Sequence, residues 1–352
     1  MRSLYVMGTL GSGKTAVCLG LAQKFQERGY KVAYFKPVGA GGGPEGKDDD
    51  DAVLMKTVLG MPQPIDEMVV LRTSPHFLTK YRGTGENMKA IVEAYHKIAA
   101  GVDLVIIESS TSPHLMASLG LDAPSIAVEI DAATLMVNKV ENDFSLDSTL
   151  SYCDYAKNKG TEVIGVVFNN VPRTLLEEVR GVYKPILDAK GYSVLGVLPK
   201  MVEISAPTVQ EFYDALGGEV LVGEDHMDLI IEDVFIGAMT LESAISYLRR
   251  ATNKALITGG DRADLALAAI ETGASVVILT GGLYPHVKVI ARAAERGVPI
   301  ILVHYDTYTT IEKLREVSRR IRPNDERGIQ LATENLDANC DWKTILSRLT
   351  RE

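Results

Sequence analysis

Cysteine is scarce in this chain, with three residues at positions 18, 153 and 340 of 352. They stand far apart and show no metal-ligand spacing, and the six histidines are scattered with no pair at helical ligand spacing. A zinc site is therefore not expected. Few cysteines and no secretory-type N-terminal segment point to a reducing, cytoplasmic setting. Long apolar runs are also missing: none approaches the ~18 residues that a membrane span requires, so no membrane association is expected. Positive charge is in deficit, 37 Lys and Arg against 46 Asp and Glu, for a net charge of −9. That balance argues against general nucleic-acid binding. The rest of the composition, 46% hydrophobic and 24% charged, is ordinary for a soluble globular chain long enough for two or three domains.

The strongest positive signal lies near the N-terminus. Gly8-Thr9-Leu10-Gly11-Ser12-Gly13-Lys14-Thr15 fits the P-loop pattern of a Gly, four residues, then Gly-Lys-Thr. An apolar stretch of strand length precedes it and a stretch of helical composition follows, the context in which such a loop cradles phosphate. Lys14 is expected to reach the outer phosphates of a nucleoside triphosphate and the Thr15 hydroxyl to hold Mg²⁺. An ordinary Gly-rich turn between strand and helix is the alternative.

Short runs rich in Val and Ile recur at 31–35, 103–107, 134–140, 162–168 and 193–198, with helical stretches between them at 87–100 and 173–190. Runs without polar alternation suit strands buried on both faces of a parallel sheet, so the expected fold is α/β, doubly wound. The proline-bearing stretch 199–207 predicts a boundary, with domains at 1–205 and 206–321 and, at 322–352, a polar C-terminal tail with some helix-like content, either packed on the body or mobile. In the second region a strand, Thr-Gly-Gly and a helix occur at 258–260 and again 22 residues later at 280–282. Those glycines serve either close approach by a ligand or merely tight turns.

Three further positions fall at ends of predicted strands, the edge where parallel sheets bind ligands. Lys36 precedes Pro37-Val38-Gly39 and can supply charge to a transferring phosphoryl group, or can be a solvated lysine before a turn. Glu108 closes its strand as a Mg²⁺-binding or water-orienting carboxylate, or as a helix cap. Asn169 carries a donor and an acceptor that can pair with a purine edge, or it simply begins a turn before Pro172. Between Gly39 and Gly46 a loop with five glycines is suited to wrap a ligand. The four aspartates 48–51 that follow read mostly as an exposed acidic loop, with one of them able to bind Mg²⁺.

With these residues assembled, 1 to about 205 resembles the dethiobiotin synthetase family: the P-loop, Lys36-Pro37-Val38, Asp51-Ala52, Glu108, and Gly165-Val166-Val167 with Asn169. The resemblance implies an ATP- and Mg²⁺-dependent P-loop domain. Lys14, Lys36 and Glu108 would be its catalytic groups. Gly8, Thr9, Gly11, Ser12, Gly13, Lys14, Thr15 and Asn169 would hold the nucleotide, with Asn169 reading adenine. Thr15, Asp51 and Glu108 would hold the metal. Residues 206 to about 320 resemble a DRTGG domain, through Asp261-Arg262, Thr280-Gly281-Gly282 and His304-Tyr305-Asp306-Thr307-Tyr308. The pair resembles the N-terminal regulatory region of long phosphate acetyltransferases. Two departures stand out: Glu108 is followed by Ser109-Ser110-Thr111-Ser112-Pro113 rather than a Gly-rich turn, and the chain ends about thirty residues beyond the DRTGG-like region. The first departs from the synthetase substrate site and the second argues against acetyl transfer. Two functions are expected to compete: ATP-dependent activation of a small carboxylate-like substrate, and nucleotide-dependent regulation of a partner enzyme of acetate or CoA metabolism. A homodimer is implied by the same resemblance.

Overall fold

The computed structural model describes residues 3–39, 48–74, 76–80, 85–315, 317 and 320–350. The glycine-rich segment 40–47, expected to wrap a ligand, lies outside the described residues. The chain divides into two compact units, residues 1–200 together with 321–352, and residues 201–320. Among the described residues no helix is long and apolar enough to cross a membrane.

The first unit contributes β1 (Leu4–Gly8), β2 (Val32–Phe35), β3 (Val38–Gly39), β4 (Leu71–Arg72), β5 (Leu104–Glu108), β6 (Ala133–Lys139), β7 (Val163–Val171) and β8 (Val194–Pro199). Six of them form one sheet in the order β2-β5-β1-β6-β7-β8, with every pairing parallel. The short β3 and β4 pair separately. Strands β1, β2 and β5 are buried along their whole length, which is why their sequences show no polar alternation. Parallel pairing sends all six strands toward one edge, and the P-loop, Lys36, Glu108 and Asn169 follow or close strands at that edge.

Two stretches read from the sequence take a more definite form. The helical stretch expected at 173–190 is built from a short 3₁₀ turn, a helical turn, a π-helical segment at Val179–Tyr183 and a helix at Lys184–Ala189. Pro185 has no N–H to offer an i→i−4 bond, which favours the wider turn before it. The C-terminal segment takes the packed, helical form of the two that the sequence left open. It forms helices Glu326–Asn339 and Trp342–Thr350, with Leu336, Ile345 and Leu349 buried. Thr333 donates to Gln23 on the P-loop helix (2.6 Å), and Asn335 donates to the Pro199 carbonyl beyond β8 (3.1 Å). A sequence segment far from the P-loop thus completes the P-loop unit.

The second unit contains β9 (Glu219–Val222), β10 (Asp233–Ile236), β11 (Lys254–Gly259), β12 (Ala274–Thr280) and β13 (Ile300–Leu302), in the order β10-β11-β12-β13-β9. Only β9 runs antiparallel. Leu256, Val277 and Leu279 pack on one face with Leu265, Ile270 and Val289. Ala255, Ile257, Val276 and Ile278 pack on the other with Phe212 and Leu216. The alternation of neighbouring residues between two apolar layers is the period-2 pleat of a sheet covered on both faces.

Candidate nucleotide site

Strand β1 delivers the chain into the P-loop, and helix Lys14–Glu27 carries it away. Gly13 sits at φ +73°, in the left-handed region where an L side chain is strained. A Cβ there would also meet the Asn169 amide nitrogen at 2.3 Å. Gly13 is the N-cap and offers no side chain, so the first amides of a fourteen-residue helix lack a capping side chain. Ser12 is fully buried, and its hydroxyl has no hydrogen-bond partner among the described residues. An orphaned buried hydroxyl beside an uncapped helix start fits an anionic phosphate.

The loop is held by the ends of the neighbouring strands. Thr9 donates its hydroxyl to Asn138 Oδ1 (3.0 Å), and Asn138 in turn donates to Thr149 (2.8 Å). Asn169 Nδ2 donates to the Ser12 carbonyl (2.9 Å), and Asn170 Nδ2 lies 3.4 Å from the Gly11 carbonyl. On the other side, the Gly8 N–H donates to Ser109 Oγ (3.3 Å). Lys14 folds back to donate to the Thr9 carbonyl (2.9 Å).

Beside the loop lies a buried group of charges. Glu108 accepts from Thr15 Oγ1 and from Tyr34 OH, each at 2.9 Å. Lys36 Nζ lies 3.2 Å from Asp49, in close contact with Asp51, and 4.0 Å from Glu108. Burial pulls the Lys14 ammonium below its ordinary range, only partly opposed by Glu108. Burial also pushes the Glu108 carboxyl up, against the pull of Lys36. For Lys36, burial disfavours the charge, but Asp51, Glu108 and Asp49 together outweigh it and hold the ammonium above its ordinary range. Among the described residues no three acidic, histidine or cysteine side chains are arranged as a metal cage. Mg²⁺ shared with phosphate needs only one or two carboxylates, and Thr15, Glu108 and Asp51 supply a suitable hard oxygen set.

The sequence singled out Lys14, Thr15, Lys36, Asp51, Glu108 and Asn169, and the fold brings them to one sheet edge. It named Asn170 only beside Asn169, and it did not single out Tyr34, Asp49 or Asn138 as parts of the site. Asp49 corrects the reading of 48–51 as an exposed loop. It is buried, and its side chain caps helix Asp50–Leu59 by accepting from Asp51 N–H (3.1 Å) and Ala52 N–H (3.2 Å). An Asp just before a helical run is a recognisable N-cap signal. Asp50 and Asp51 occupy the first helical turn.

In the second unit the paired Thr-Gly-Gly turns lie side by side at the ends of β11 and β12. A Cβ on Gly260 would fall 1.7 Å from the Leu283 carbonyl, so only glycine permits the two turns to pack. The amides of Gly281 and Gly282 donate to the Tyr305 and Val303 carbonyls (2.8 and 2.9 Å). Arg262 folds onto Asp264 (3.1 Å) and the Met239 carbonyl (3.2 Å). At Gly260 the close packing of chain on chain requires glycine, and Gly281 and Gly282 stand at φ +81° and +66°.

The mostly parallel sheet, the strand–loop–helix geometry and the buried Lys–carboxylate group define a P-loop α/β protein with a second, smaller α/β unit. Residues 2–208 match the AAA domain family model, and the chain belongs to that family. Residues 211–317 match the DRTGG domain. The chain is 24% identical to the phosphate acetyltransferase of Pseudomonas putida, over 97% of this chain and 51% of that protein. It is also 24% identical to the ATP-dependent dethiobiotin synthetase of Bacillus velezensis, over 61% of this chain and 93% of the synthetase. The chain spans about half the length of the phosphate acetyltransferases it matches. Among solved structures it is similar to the CBS and DRTGG domains of the regulatory region of Clostridium perfringens pyrophosphatase, complexed with the activator diadenosine tetraphosphate. That likeness has 20% identity and a TM-score of 0.29, and covers 40% of this chain and 72% of the other.

Proposed function

We propose that the chain binds ATP with Mg²⁺ at the P-loop and uses occupancy of that site to regulate a partner enzyme of acetate or CoA metabolism. The observation that carries the reading is the grouping of buried Lys14, Lys36 and Glu108 with half-buried Thr15 and Asp51 beside an uncapped helix start. Lys14 and the loop amides hold the phosphates, and Thr15, Glu108 and Asp51 hold the metal. When bound, Mg²⁺ neutralises charge on the phosphate oxygens. The similarity to an ATP-dependent synthetase supports ATP as the nucleotide. The similarity to phosphate acetyltransferases, together with the DRTGG match, supports a regulatory role and the class of partner.

Phosphoryl transfer to a small carboxylate-like substrate is the second reading. The placement of Lys36, 4.0 Å from Glu108 beside the P-loop, favours it. In that reading Lys36 leaves Asp51 to meet the transferring group. A homodimer is part of the proposal, and light scattering that gives a particle of 38.2 kDa would remove it.

Calorimetry with MgATP on the wild type and Lys14→Ala tests the binding. A charge-assisted contact worth about 1.5–3 kcal/mol predicts a loss of roughly ten- to a hundredfold. Equal affinities would overturn the assignment. Phosphorus NMR of ATP with candidate acids separates the two readings: binding without turnover favours regulation, and acid-dependent ADP formation favours transfer.

A further inference from the structure

Three lysines surround the phosphate cradle. Lys14 is turned onto the Thr9 carbonyl, and Lys36 is enclosed by Asp49, Asp51 and Glu108. Lys139, the last residue of β6, differs from both. Its ammonium lies beside the loop, where a Cβ on Gly11 would be 3.9 Å from Nζ. It pairs with Glu141 at 2.7 Å, and the two side chains are 39% and 62% exposed.

The backbone fixes that position. Lys139 is in register with Asn169, and the residue before it, Asn138, holds Thr9 of the loop. The strand end therefore cannot drift from the cradle without breaking that bond and the strand pairing. The backbone of Lys139 is thus anchored while its side chain remains partly in water. An ion pair of two exposed side chains is weak and easily exchanged. A triphosphate entering the cradle carries several negative charges and presents a stronger partner than a single solvated carboxylate.

We propose that Lys139 is a phosphate-binding residue of the nucleotide site, which exchanges Glu141 for an oxygen of the entering polyphosphate. The inference rests on the P-loop binding reading above and deepens it. Glu141 then acts as a competitor that restrains affinity, so the two residues should respond to substitution in opposite directions. Because the contact is to phosphate, its effect should not depend on the base.

The test is calorimetry on the full chain with MgATP, MgGTP and inorganic tripolyphosphate, comparing wild type, Lys14→Ala, Lys139→Met and Glu141→Gln. Lys139→Met is expected to weaken each ligand that the wild type binds by about tenfold, and to flatten the fall of affinity with salt. Glu141→Gln is expected to tighten the same ligands by roughly two- to fivefold. Thermal unfolding without ligand should leave both variants at the wild-type midpoint, because the pair is exposed. If the wild type binds, Lys14→Ala loses affinity and Lys139→Met keeps it, this inference falls and the P-loop reading stands. A loss confined to one nucleotide base also overturns it. If the wild type binds none of the three ligands, the P-loop reading falls and this inference with it.

Discussion

Replacing Lys36 by Met removes a positive partner that Asp49, Asp51 and Glu108 share while preserving much of the bulk of the side chain. In the folded protein Lys36 lies 3.2 Å from Asp49 and 4.0 Å from Glu108, and it touches Asp51. The side chains of Lys36, Asp49 and Glu108 are only 4, 6 and 3% exposed, so water cannot take over the role of the ammonium. Breaking a buried pair by deleting one partner costs about 3–5 kcal/mol, because the remaining charge is left without compensation. For a unit of this size each kcal/mol moves the melting midpoint by about 2–4 °C, so the expected drop is roughly 6–20 °C. Adding Asp51→Asn to the same chain should restore part of it by removing one of the repelling charges. The sign of the pH dependence follows from the same geometry. Burial already holds the Glu108 carboxyl above its ordinary range and Lys36 pulls it down, so without Lys36 the destabilisation is present at neutral pH and shrinks as the pH falls and Glu108 takes up a proton. The assay is differential scanning calorimetry of both chains at pH 7.5 and at pH 5. A Lys36→Met protein that melts within 2 °C of the wild type at pH 7.5 would refute the claim that Lys36 holds these carboxylates together.

Asn169→Ala removes the donor to the Ser12 carbonyl (2.9 Å). If the amide chiefly shapes the loop, ATP and GTP binding should fall by the same factor, about five- to tenfold. If it reads adenine, only the preference for ATP should shrink, and parallel titrations decide between the two. Burial pushes the Cys153 and Cys340 thiols up to about 12, and Cys18 is also buried and raised. All three should stay protonated and resist a thiol-reactive dye at pH 8 in the folded chain, and all should react in denaturant. Fast labelling of the native protein would contradict their burial. Lys254 is buried and donates to the Ala251, Thr272 and Gly273 carbonyls (3.1, 2.6 and 3.4 Å) just after helix Ala263–Glu271 and before β11. Lys254→Met should cost about 1–3 kcal/mol in a urea titration of the full chain, since three carbonyls lose their donor. An unchanged midpoint would show that those carbonyls find other partners.

What the sequence determined by itself is what short-range chemistry encodes. A Gly-rich loop with Gly-Lys-Thr between an apolar strand and a helix specifies a phosphate cradle within eight residues, and unbroken Val- and Ile-rich runs specify strands covered on both faces. Lys36, Glu108 and Asn169 were legible because they stand at strand ends, and parallel strands share one ligand-facing edge. Edge strands β9 and β10 were not legible: they are four residues each and partly exposed, so their composition carries little signal. The joining of the C-terminal helices to the P-loop unit was also hidden, because the apolar stripe of Leu331, Leu336, Ile345 and Leu349 does not name the surface that covers it. Only tertiary structure decided which charges meet. Lys36 and Glu108 are 72 positions apart, and whether each is a solvated end or half of a buried pair depends on strand order, which places β5 beside β2 and β1. The same holds for Asn169. Its type and place suggest a base reader, but its hydrogen bond to Ser12 exists because β6 lies next to the P-loop strand and β7 next to β6, a relation set by packing and absent from any local run of sequence.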